Sequence, residues 1–154
     1  MEFQHEGRGL VHYDNPAKRF LRGYRALVMR RDSLMREIDR RRESATGTTV
    51  RLKAINVQGG GGAYDRMAED VARIVDAEET LGDALAEIGR RLREILTAIE
   101  SVPDEMQKTV LTLRYIEGLD WISISERIGY EERQTFVIHG RALVEVNKWL
   151  MERQ

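Results

Sequence analysis

The sequence predicts an all-α protein: a long antiparallel helical hairpin followed by a C-terminal helix-turn-helix domain. Three observations predict it. Apolar residues step by alternating threes and fours along two long stretches, a Gly-rich stretch separates them, and short amphipathic segments punctuated by single Gly residues close the chain. Composition agrees. The 154 residues are 33% charged and 6% aromatic with two Pro, the balance of solvent-facing helix rather than of a β-sandwich. That length suits one core or two small ones and excludes a large multidomain enzyme.

Residues 1–16 read as a tail, and the hairpin is assigned to 17–102. Its first helix starts at Asn15-Pro16-Ala17, where Asn is a favoured N-cap and Pro fits the first turn. Phe20, Tyr24, Leu27, Arg31, Leu34 and Ile38 then form a helical seam broken only by Arg31. Ser44 to Thr49 and Gly59 to Gly62 bracket a stretch without helical period, so residues 44–63 are expected to be a non-helical connection. The run lacks a Lys-Ser/Thr follow-on and a preceding strand, which makes it a linker rather than a phosphate cradle. Arg40-Arg41-Arg42 would then sit in a last helical turn, where positive charge favours the helix dipole, and DNA contact is the weaker reading of the run.

Tyr64 to Val102 carries the strongest period: Tyr64, Met67, Val71, Ile74, Glu78, Leu81, Leu85, Ile88, Leu92, Ile95, Ile99 and Val102, with Glu78 its one polar member. A helix of that extent is roughly 58 Å long, so the hairpin must be elongated. Pairing the two polar breaks, Arg31 and Glu78, sets Ile38 near Val71 and Tyr24 near Leu85, and the pair is expected to fix register rather than to add stability. Ala68, Val75, Gly82, Gly89 and Leu96 fill the adjacent heptad row. Gly costs about 1 kcal/mol against Ala in a helix, so Gly82 and Gly89 suggest the close approach of a second backbone. Apolar or small residues at three heptad positions exceed what one hairpin partner covers, which predicts a homodimer with a four-helix bundle; the alternative is that the C-terminal motif folds back on the spare stripe.

Residues 103–154 form the helix-turn-helix domain. Ser101 is a candidate cap, Met106 to Ile116 is amphipathic, and Gly118 stops it. Asp120 can cap Trp121 to Ile128, Gly129 makes a turn, and Glu132 to Leu150 follows. Two crossing helices need a small residue at the contact, a Gly at the turn and apolar contacts on both sides. Ser125, Gly129, Ile124 with Ile128, and Ile138 with Ala142 meet those needs.

Leu113-Arg114-Tyr115-Ile116-Glu117-Gly118-Leu119-Asp120-Trp121, with Ile124-Ser125-Glu126-Arg127-Ile128-Gly129 after it, resembles region four of bacterial sigma factors. The fuller arrangement, a hairpin with a Gly-rich connection ahead of Leu-Arg-Tyr and a terminal Ile138-His139-Gly140-Arg141-Ala142-Leu143, resembles the phage ArpU/RinA-type transcriptional regulators. The resemblance implies a sequence-specific, double-stranded DNA-binding regulator that also touches RNA polymerase. It implies that the residues after the turn, Glu131, Glu132, Arg133, Gln134, Phe136 and Val137, enter the major groove. Arg133, Gln134, His139 and Arg141 are the usable donors there, with Arg127 on the backbone. Glu131 and Glu132 are repelled by phosphate, and Phe136 and Val137 offer only apolar contact. A second function class follows from that departure: a protein-interaction or phage assembly and packaging module whose exposed Phe136-Val137 face binds a polypeptide.

The net charge of −1 hides segregation: residues 17–43 sum to +6 and 64–102 to −5, which reads first as two helices complementing each other. The chain has no Cys, hence no thiol nucleophile or Cys-based zinc site. His5, His12 and His139 share no ligand spacing, so neither metal nor cofactor is expected. No nucleophile signature points to an enzyme. Trp121 and Trp149 fall on apolar faces and read as core. No apolar run reaches the roughly 20 residues of a membrane span and no signal peptide opens the chain, so no membrane association and a cytoplasmic location are expected.

Overall fold

A computed structural model describes residues 15–55 and 61–153. Its helices are α1 (Pro16–Ile55), α2 (Gly61–Glu100), α3 (Glu105–Leu111), α4 (Trp121–Ile128) and α5 (Glu132–Met151), and no strand occurs among the described residues. The architecture is all-α. Helices α1 and α2 pack antiparallel, with Gly23 beside Arg91 and Arg42 bonded to Glu78. Among the described residues no helix is long and apolar enough to cross a membrane.

Asn15 caps α1 as expected: its Oδ1 accepts from the Lys18 amide at 3.3 Å. The other domain completes the cap. Asn147 Oδ1 accepts from the Ala17 amide at 2.9 Å, and Asn147 Nδ2 donates to Asn15 Oδ1 at 3.1 Å. An orphan amide of the first turn thus finds its partner across the domain junction.

The non-helical connection expected for 44–63 is corrected. Helix α1 continues to Ile55 and α2 already contains Gly61 and Gly62, so only 56–60 of that stretch lie outside the described residues. Pairing with α2 outweighs weak local propensity here. Ala45 is half-buried, and Thr46 turns its hydroxyl onto the Arg42 carbonyl at 2.9 Å. The arginine run is therefore mid-helix rather than terminal. Arg40 and Arg41 both pair with Glu37 at 2.7 Å, and Arg42 pairs with Glu78.

The Arg31–Glu78 pair does not form, which corrects the predicted register. Arg31 instead binds the neighbouring Asp32 through Nη2 at 2.6 Å. The cause is a rotation of α2. Its buried side runs through Ile88, Ile95, Ala98, Ile99 and Val102, with Ala77, Leu81, Ala84 and Arg91 half-buried, while Met67, Val71, Glu78 and Leu85 of the predicted seam are exposed. Alanines at 77, 84 and 98 let α1 come close on this face. Arg91 fills the fourth place in that row by lying over the Phe20 ring, 5.5 Å from its centroid. Gly82 and Gly89 meet no other backbone: nothing lies within 4 Å of a Cβ built at Gly82, and only Arg93 of the same helix approaches Gly89.

The C-terminal domain does not fold back along the spare stripe. It docks on the open end of the hairpin, where Ala17 and Leu21 of α1 and Ile95, Ala98, Ile99 and Val102 at the end of α2 share one core with Leu111, Tyr115, Ala142, Leu143 and Val146. Trp149 is partly buried there against Phe20, ring centroids 5.8 Å apart. Asp104 rather than Ser101 caps α3, accepting from the Gln107 amide at 2.8 Å. After α3 the chain makes one wider turn, Thr112–Ile116, closed by Glu117 N–H to the Thr112 carbonyl at 3.1 Å. Gly118 (φ 77°) then reverses it, and Leu119 N–H reaches back to the Leu113 carbonyl at 3.0 Å.

Gly118 and Gly129 both hold a left-handed conformation that costs other residues about 1–2 kcal/mol. Only Gly118 is also crowded, because a Cβ there would stand 2.6 Å from the Arg25 guanidinium, whereas Gly129 has open space. Gly118→Ala is therefore expected to destabilise more than Gly129→Ala in urea unfolding, and pairing it with Arg25→Ala should remove the difference.

Candidate nucleic-acid interface

Helices α4 and α5 form the expected helix-turn-helix. Asp120 caps α4 through the Ser123 amide at 2.8 Å. Gly129 ends it in the left-handed region, and the amides of Gly129 and Tyr130 both donate to the Ser125 carbonyl. Glu131 is extended and precedes α5, with no side-chain cap. Ile124, Ile138, Val110 and Leu113 make the small core of this domain, with Met106, Leu119, Trp121 and Ile128 against it.

Ser125 is the small buried residue at the crossing. Its hydroxyl donates to Thr135 Oγ1 at 2.9 Å, and Thr135 in turn donates to the Glu131 carbonyl at 3.1 Å. This relay ties the turn to the first turn of α5 without leaving a buried hydroxyl unpaired. Thr135 escaped the sequence reading; its signal was a polar residue at a position flanked by Ile138 on the buried side of α5. Arg114 escaped it as a positioning residue too. It donates to the Leu119 carbonyl at 2.7 Å and lies 4.7 Å from the Trp121 ring centroid, fixing the loop that leads into α4.

His139 is corrected: it is buried and cannot reach a phosphate. Its Nε2 and the Tyr115 hydroxyl lie 2.9 Å apart in a hydrogen bond, and Trp121 meets its ring edge-on at 4.7 Å. Burial lowers its pKa to about 4, helped by the positive charge of Lys18, Arg114 and Arg22. Burial likewise pushes the Tyr115 hydroxyl up to about 12. Both groups are neutral across the physiological range, a structural pair between the wide turn and α5.

The remaining expected residues are exposed. Arg133, Val137, Gly140, Arg141, Val144 and Lys148 recur at helical spacing along the solvent face of α5, with Gln134 beside them. Phe136 is turned aside onto Trp121, ring centroids 4.8 Å apart, leaving it 46% exposed against 41% for Val137. Glu132, next to Arg133 in sequence, is about 100° around the helix from it and off the stripe. Lys148 pairs with Glu145 at 2.7 Å and Arg127 with Glu117 at 2.8 Å, surface pairs that cost little to exchange. Arg133 and Arg141 pair with no carboxylate among the described residues. The outward stripe of α5 is thus basic with small apolar residues between its charges, although the domain as a whole is acidic. No group of His, Asp and Glu that could hold a metal occurs among the described residues.

Compared with known protein families, curated proteins and solved structures, the chain matches none.

Among the described residues, His139 makes stability depend on pH above the carboxylate range. Held neutral in the fold and free to protonate from about 6.5 when unfolded, it contributes stability that is complete above pH 6.5 and is lost as the pH falls toward 4. The loss is on the order of 2–3 kcal/mol. Glu37, Glu87 and Asp120, whose carboxyls arginine neighbours and a helix cap hold low, weaken the fold only below their ordinary values of 4.5 and 3.8. Denaturation midpoints measured from pH 7 to 5 should fall for the natural chain and stay nearly level for His139→Gln.

Proposed function

We propose that this protein is a DNA-binding transcriptional regulator of the phage or prophage type that reads double-stranded DNA with α5. The observation that carries the reading is the outward stripe of α5. Arg133 and Arg141 stand on it without carboxylate partners, at the end of a helix-turn-helix whose turn is held by Ser125, Thr135 and Gly129. Arg133 and Gln134, in the first turn, are the base-reading residues, since both side chains can make paired hydrogen bonds to base edges. Arg141, two turns on, holds a phosphate, and Val137 offers a surface to a thymine methyl. Arg127 exchanges Glu117 for the DNA backbone. The function is binding, not catalysis, and its place is the cytoplasm, where the resemblance to sigma region four extends the partners to RNA polymerase.

Residues 120–150 hold four basic side chains against five acidic ones, so one copy neutralises few phosphates and binds weakly. A homodimer raises affinity by presenting two reading heads at once. The second reading, a polypeptide-binding or phage assembly and packaging module, rests on the exposure of Phe136 and Val137.

Binding to a selected duplex, followed by fluorescence anisotropy over a range of salt, separates the two. Arg133→Ala should cost about 1–3 kcal/mol and relax preference at one base pair. Arg141→Ala should weaken all sequences alike and reduce the salt slope by about one. Glu132→Lys should strengthen non-specific binding. If Arg133→Ala and Arg141→Ala both leave binding unchanged, α5 is not the reading head and the polypeptide-binding reading takes its place.

A further inference from the structure

One face of α2 has no covering element among the described residues, because the C-terminal domain sits on the hairpin end and α1 occupies the other side. Val75, Gly82, Gly89 and Leu96 recur there every seven residues, with Val71 and Leu85 in the adjacent row. Val75 is 55% and Leu85 49% exposed. A seven-residue apolar repeat is the pattern that accepts another long helix lengthwise, and its cost in exposed apolar surface and helix-weakening glycine has no return within one chain.

We propose that this face is the self-association surface, and that it takes α2 of a second copy in antiparallel orientation. Charge selects the orientation. Residues 64–83 carry seven acids and two Arg, whereas 84–100 carry three acids and three Arg. Parallel copies would lay acidic half on acidic half; antiparallel copies lay each acidic half along the charge-balanced half of the other, where Arg93 stands beside Gly89 on the exposed face. Sequence symmetry selects the register. With the twofold axis between Leu85 and Ala86, Gly82 faces Gly89 of the second copy, and Val75 faces Leu96 of the second copy, each twice over. The two glycines then stand where the backbones cross most closely, and the larger residues fill the layers on either side. The surface is self-complementary, as a closed twofold interface requires. It stands apart from whether α5 binds DNA, and if α5 does, it fixes the distance between two reading heads.

Light scattering of the full chain at tens of micromolar tests the proposal, with a dimer mass expected. Gly82→Leu adds its side chain to open space in the single chain, so helicity by circular dichroism should be kept or raised. The same change should raise the dimer dissociation constant at least about tenfold by holding the backbones apart. Because the natural chain has no Cys, single cysteines report the orientation. Leu85→Cys should cross-link two copies under mild oxidation and Val75→Cys should not. A monomeric natural chain, a Gly82→Leu dimer of unchanged affinity, or cross-linking through Val75→Cys as efficient as through Leu85→Cys would each overturn it.

Discussion

Everything in this molecule hangs on the junction where the open end of the hairpin meets the C-terminal domain. Ala17 and Leu21 enter it from α1, Ile95, Ala98 and Ile99 from α2, Leu111 and Tyr115 from α3 and its wide turn, and Ala142 and Val146 from α5. Leu21, Ile95, Leu111 and Val146 are fully buried, and truncating residues of this kind in a close-packed core costs about 2–5 kcal/mol each. The alanines set the distances: Ala17, Ala98 and Ala142 allow three helices to converge on one point. Asn147 adds a directional element, because only one placement of α5 lets it complete the cap of α1.

That junction explains the rotation of α2. A helix whose last two turns are committed to the shared core has its whole face set, since side chains further up follow at 100° per residue. Met67, Val71 and Leu85 are turned outward as a consequence, although their pattern alone suits the hairpin seam equally well. The same rigidity ties the orientation of α4 and α5 to the hairpin. Arg114, the Ser125–Thr135 relay and the buried Tyr115–His139 pair then hold the helix-turn-helix to the junction with satisfied hydrogen bonds.

Local signals in the chain were strong wherever the determinant is local. The Asn15 cap, the Asp120 cap, the stops at Gly118 and Gly129 and the small Ser125 at the crossing were all legible, because each depends on the backbone needs of a few neighbouring residues. What depends on distant contacts was not. The two apolar seams alone suggest an Arg31–Glu78 pair, yet the register is set at the far end of the hairpin by Leu21 and Ile95. Ser44 to Thr49 read as a linker from propensity, while α1 continues as helix through them to Ile55. His139 read as a surface donor because Tyr115 and Trp121, which enclose it, lie on other elements. Arg133, Gln134, Val137 and Arg141 were singled out by the resemblance to sigma region four, and their exposure follows from the helical period once Ile138 and Ala142 face inward.

The central claim is that the outward stripe of α5 reads DNA sequence. Repeated selection of the full chain against a pool of random duplexes, with sequencing after each round, tests it most directly. The account predicts progressive enrichment of duplexes sharing a short motif. A pool that after several rounds remains as random as the input, with the protein folded throughout, would contradict it.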